Sequence, residues 1–128
     1  MAIRVVQLGT PRVSGEGLRL GIVRHPPRGV PKGEYASRNF YDIWFPDIAP
    51  SKALVKVAKK ATEERAWRTF TKSYRAEMTR PEARRLLDLL AALSHVTHLS
   101  IGCYCAEESR CHRSVLRTLL AERGARLA

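Results

Sequence analysis

The chain has 128 residues, 45% hydrophobic and 27% charged, with 23 Lys and Arg against 12 Asp and Glu and a formal charge of +11. That size and composition predict one α/β domain spanning 1–128 with no linker or second domain, and the lack of a long apolar run excludes a membrane-spanning helix. The cationic excess favours polyanionic partners, a phosphate-bearing ligand or nucleic acid, over any membrane, although the cations are scattered as on ordinary solvated helix faces.

"AIRVVQLG" (Ala2–Gly9) has the alternation of a strand, with Ile3, Val5 and Leu8 inward. After the turn-rich "TPRVSGEG", "LRLGIVR" (Leu18–Arg24) alternates Leu18, Leu20 and Ile22 against Arg19, Gly21 and Val23, a second strand. From His25 to Ser51 the prolines and glycines forbid a continuous helix or central strand. "FYDIWF" (Phe40–Phe45) can form one short strand there, and the aromatics predict that the rest is a packed loop.

Ser51 is placed to cap a helix that starts at Lys52. Thr62 opens a second helix on which Trp67, Phe70, Tyr74 and Met78 recur at helical spacing, a core stripe. Thr79-Arg80-Pro81-Glu82 has the pattern of a capping box, and Leu86, Leu87, Leu89, Leu90 and Leu93 give the helix after it a wide apolar face. "VTHLSIGCYC" (Val96–Cys105) is the last strand, with Leu99, Ile101, Cys103 and Cys105 on one face. "CHRSVLRTLLAER" is the last helix, with Gly124 as its left-handed stop. The expected architecture is three-layer-like: a small mixed or parallel sheet flanked by helices.

All three cysteines lie in "SIGCYCAEESRCHRSV" (Ser100–Val115). The N-terminus "MAIRVVQLGT" lacks the pattern of a secretory signal, so a cytoplasmic protein with reduced thiols is expected. A strand end followed by a helix start is where open α/β sheets bind ligands, and the helix start offers free N–H groups to an anion. Cys111 stands at that start, where dipole and cations favour thiolate. Cys111 or Cys105 is the candidate nucleophile, with His112 as acid/base or orienting group. Arg110 and Arg113 can fork onto a phosphate, and Tyr104 and Ser114 flank the same turn.

Two other readings stand beside this one. Cys103, Cys105, Cys111 and His112 form a Cys₃His set that zinc accepts, although structural zinc usually takes C-x₂₋₄-C pairs. Alternatively, Cys103 is a small core residue, His112 is a buried hydrogen-bonded imidazole, and the protein is a non-catalytic nucleic-acid-binding or interaction module driven by charge. The phosphatase pattern of Cys, five residues and Arg is absent: Cys105 to Arg110 leaves four between, Cys103 to Arg110 six. No phosphate-binding P-loop, dinucleotide glycine motif or G-x-S-x-G elbow is present, and the sequence does not say whether a cofactor is used.

"IGCYCAEESRCHRSVL" resembles the closing motif of the family called domain of unknown function 488. "VRHPPRGVPKGE", "IWFPDIAPS" and "FTKSYRAEM" resemble, in order, segments of its YeaO-like branch. The matching positions are Arg24, Arg28, Gly29, Lys32, Trp44, Pro50, Ser51, Tyr74, Glu77, Cys111, His112 and Arg113. His25 departs from the branch, which usually has leucine there and often lacks the cysteines. The resemblance implies a fold and a pocket in which Arg24, Arg28 and Lys32 of the proline-rich loop face the Cys-His-Arg helix start. It implies no particular reaction.

Overall fold

The computed structural model describes all 128 residues. Four strands, β1 (Ile3–Gln7), β2 (Leu18–Gly21), β3 (Ile43–Trp44) and β4 (Leu99–Cys103), form a fully parallel sheet in the order β1-β4-β2-β3. Every residue of β4 is buried, as expected of the strand paired on both edges. The strands end earlier than expected because the chain turns at Leu8–Gly9 and bends at Arg24 and at Tyr104, and β4 begins only at Leu99, after a turn over Ser94–Val96.

Four helices follow the expected chain order: α1 (Lys52–Lys60), α2 (Glu64–Glu77), α3 (Pro81–Leu93) and α4 (His112–Glu122). Ser51 caps α1 by accepting from the Leu54 N–H at 3.3 Å. Gly124 stops α4 at φ 78°. The capping box at Thr79 does not form: its hydroxyl turns back to the Ala76 carbonyl at 2.6 Å, still inside the closing turn of α2, and Arg80 takes the N-cap position. Only Leu87 and Leu90 of the α3 leucines are fully buried, and Leu89 faces solvent.

The alternation of each strand separates two environments. Ile3, Leu20, Ile22, Leu99 and Ile101 join Phe70, Tyr74, Leu87 and Leu116 in one core that takes side chains from all four helices. The opposite face is kept bare of side chains at its centre, and loops lie directly on it. A Cβ at Gly21 would come within 2.3 Å of the Tyr41 ring, and one at Gly102 within 2.7 Å of Leu8. The third layer is therefore irregular chain, pinned by a buried ion pair: Arg19 donates to Glu16 at 2.6 Å and to the carbonyls of Thr10 and Asn39. No helix is long and apolar enough to cross a membrane. With helices on one side and loops on the other, the carboxyl ends of β2 and β4 open between them.

Candidate functional site

β4 delivers Cys103 to the sheet edge, and the chain leaves through Tyr104 and Cys105. A short 3₁₀ turn at Glu108–Arg110 brings Cys111 back as the N-cap of α4, in extended conformation. The Ser114 N–H and hydroxyl both donate to the Cys111 carbonyl, which fixes this first turn. The sulfurs of Cys103 and Cys111 and a ring nitrogen of His112 lie within 4.8 Å of one another. Cys103 and Cys111 are 1% and 2% exposed, while Cys105 is open to solvent and lies outside that close set.

His112 has a defined tautomer. Its Nε2 lies 2.7 Å from the Ile22 carbonyl, an acceptor only, so that nitrogen carries the proton. Nδ1 therefore presents a lone pair toward Cys111 Sγ, 3.7 Å away. The Tyr74 ring meets the imidazole edge-on at 5.8 Å, and burial pushes the His112 pKa down, which keeps the ring neutral. Tyr74 is held in turn by donating to the Ile48 carbonyl at 2.5 Å.

The three thiols are not equivalent. Hydrogen bonds from Cys103 and Cys111 hold the Cys105 pKa far below the usual thiol range, with the Arg113 charge adding to them. Cys103 is pushed up because it donates to both neighbours and is buried. At Cys111 the hydrogen bond from Cys103 acts downward, but its bond to Cys105 and burial outweigh it and raise the thiol to about 11. The downward direction thus falls on Cys105 and the upward one on Cys111, the thiol that the helix dipole favours. The physical reason is that three adjacent sulfurs share one negative charge, and the most exposed sulfur keeps it.

Arg113 is the matching cation. It is 3% exposed, donates to the Cys105 carbonyl at 2.6 Å, and leaves Nε without a partner. Its carboxylate neighbour Glu108 is taken by Arg117 at 2.8 Å. A buried guanidinium without a carboxylate is costly unless another anion faces it, and the sulfur cluster is the nearby candidate.

These thiols line a cavity of about 550 Å³. Pro26, Pro27, Phe40, Pro50, Val55, Trp67 and Phe70 make its apolar walls, and the cations on its lining are Arg24, Arg28, Lys59 and Arg110. The lining contains no Asp or Glu. Arg24 and Arg28 line the same cavity as Cys105 and Cys111. Arg24 spends its guanidinium on the carbonyls of Ala49 and Pro50, so it braces the loop that ends in Ser51. Tyr104 lines the cavity and donates to the His25 carbonyl at 2.8 Å, tying the two loops together.

Three expected ligand groups lie elsewhere. Lys32 is exposed beyond Gly29, whose φ of 71° redirects the loop away from the cavity. Arg113 sits behind the thiols, and Ser114 is occupied with Cys111. Lys59 was not anticipated, since its position on α1 reads as a solvated face. Arg110 reaches the lining while paired with Glu64 at 2.9 Å. Trp44 and Glu77 also prove to be braces, through Val23 and Ser51.

A family model described as the active DUF488-N3 subclade matches residues 3–124. No curated protein matches the chain, and no solved structure matches it.

Proposed function

We propose that this chain, which belongs to the active DUF488-N3 subclade, is a thiol-dependent enzyme acting on an anionic ligand with an apolar body, such as a nucleotide or another phosphorylated molecule. One observation carries the reading: the cavity joins three thiols and four cations and has no carboxylate on its lining. Such walls attract a phosphate and give its organic part a dry surface. A subclade described as active accords with chemistry at this site.

Cys105 is the nucleophile in this reading, since it alone combines exposure with a lowered pKa. Cys103 and Cys111 hold its charge by donating S–H, and Arg113 anchors its backbone. His112 Nδ1 can accept a proton from Cys111 when the cluster's charge moves onto substrate. Arg28, Lys59 and Arg110 seat the anion. The reaction is expected to proceed by attack of sulfur on an electrophilic centre beside that anion.

Site-resolved alkylation tests this on reduced, chelator-treated protein. Iodoacetamide should modify Cys105 first, at a rate that persists well below the free-thiol midpoint of about 8.5. Inorganic pyrophosphate should slow that reaction several-fold, and Lys59→Ala with Arg28→Ala should remove the protection. Uniformly slow labelling that rises only in alkali would sink the proposal.

A second reading is supported by the same His112 geometry. A ligating histidine usually gives its other N–H to a backbone carbonyl, as Nε2 does to Ile22, and the close set of Cys103, Cys111 and His112 offers three donors of the kind zinc takes. It predicts near-stoichiometric zinc or iron by emission spectrometry of protein purified without chelator. Metal below roughly a tenth of an equivalent per chain removes it, since a thiolate and imidazole site holds its ion tightly.

A further inference from the structure

We propose that the outer face of α1 and α2 binds single-stranded nucleic acid, with the backbone on two stripes of cations and one unpaired base in the cavity beside them. The inference deepens the enzymatic reading, on which it rests, by naming a polynucleotide rather than a free nucleotide as the ligand.

Lys52, Lys56, Lys59 and Lys60 recur at helical spacing on α1, and Arg65, Arg68 and Lys72 do so on α2, so each set makes one stripe. Both stripes lie opposite the residues their helices bury, Leu54 on α1 and Phe70 and Tyr74 on α2. All of these cations are exposed, and none forms an ion pair. The carboxylates on the two helices are occupied: Glu64 pairs with Arg110 at 2.9 Å, and Glu77 accepts the Ser51 N–H at 2.9 Å. Glu63, just before α2, is the free acid beside them. Lys52, Lys56 and Lys60 stand four residues apart, a like-charge arrangement that destabilises a helix and that a row of phosphates would relieve.

The cavity adjoins this face. Val55, Ala58 and Lys59 of α1 and Trp67 and Phe70 of α2 contribute to its walls, so Lys59 belongs to both the stripe and the lining. Trp67 stacks on Phe70 with ring centroids 4.9 Å apart. A space of about 550 Å³ with aromatic walls suits an unpaired base, which gains by stacking on such rings. Its phosphates would then meet Lys59 and Arg110 at the same cavity. A duplex keeps its bases paired and away from that wall, so the combination selects a single strand.

Fluorescence anisotropy on the full chain tests this with labelled oligothymidylate and oligouridylate of about twelve residues. Both should bind, with log affinity falling linearly with log salt, and duplex DNA of the same length should bind more weakly. Lys56→Gln/Arg65→Gln/Arg68→Gln/Lys72→Gln removes four exposed cations that lie outside both the cavity lining and the core. It should weaken binding at least about tenfold and flatten the salt slope by about 0.7 for each cation that met a phosphate. Arg4→Gln/Arg84→Gln/Arg85→Gln/Arg126→Gln removes the same charge from exposed positions outside α1 and α2, and should change binding less than about threefold. Equal losses in the two variants, a duplex held as tightly as the single strand, or no binding at low salt would each overturn the proposal. Pyrophosphate protection of Cys105 without oligonucleotide binding would remove this inference and leave the enzymatic reading standing.

Discussion

Replacing Arg19 by methionine should cost about 3–5 kcal/mol, a large part of the stability of a domain this size. Arg19 has no exposed surface, and its side chain holds Glu16, Thr10 and Asn39 at once. Those three anchor the loops that lie on the bare face of the sheet, over Gly21 and Gly102. Losing the guanidinium strands the Glu16 carboxylate and two carbonyls in a dry layer. Adding Glu16→Gln to Arg19→Met should regain part of the loss, although Glu16→Gln alone destabilises. Urea unfolding of the four proteins closes that cycle, and a cost near zero for Arg19→Met would show that the loops need no such pin.

The same layer sets an acid limit. Burial acts to raise Glu16 and Asp42, but hydrogen bonds from Arg19 and Val13 to the first, and from Arg12 and the Arg19 N–H to the second, hold both below their ordinary values. Groups lowered in the folded state contribute stability above their unfolded pKa of about 4 and lose it as pH falls through the folded one. The Glu16→Gln/Arg19→Met protein should therefore unfold less steeply in acid than the parent.

The strands, the Ser51 cap, the aromatic stripe of α2 and the cysteine turn were legible because each is written in residues close together in the chain. Leu99, Ile101 and Cys103 alternate, and Cys111-His112-Arg113 stands before an amphipathic run. What spacing could not carry was the covering of the second face. Arg19 alternates with Leu18 and Leu20 as a solvent residue does, and only the return of Thr10 and Asn39 buries it. Lys59 enters the cavity for a similar reason, because the path of α1 past the cysteine turn is a tertiary fact. Arg113 did carry a signal: it precedes Leu116 and Leu120 by three and seven residues, on the buried stripe of α4. Its cation is thereby directed inward, behind the sulfurs rather than toward a ligand.

That inward cation leads to the second large effect. Arg113→Met should raise the midpoint of Cys105 alkylation by up to about one pH unit, because a nearby opposite charge lowers a titrating group and here adds to the larger effect of the neighbouring thiols. Below the shifted midpoint, labelling of Cys105 should fall by up to about tenfold, since one unit is a factor of ten in thiolate. The fold should tolerate the change: Arg113 makes one hydrogen bond through Nη2, Nε has no partner, and methionine occupies similar apolar space. Circular dichroism and urea unfolding check that tolerance separately from the titration. If Arg113 only supported the turn, Arg113→Met would lower stability and leave the alkylation profile where it was. If its charge adds to the neighbouring thiols in keeping Cys105 ionised, the profile moves while the fold stays, and Arg113→Lys restores most of the shift.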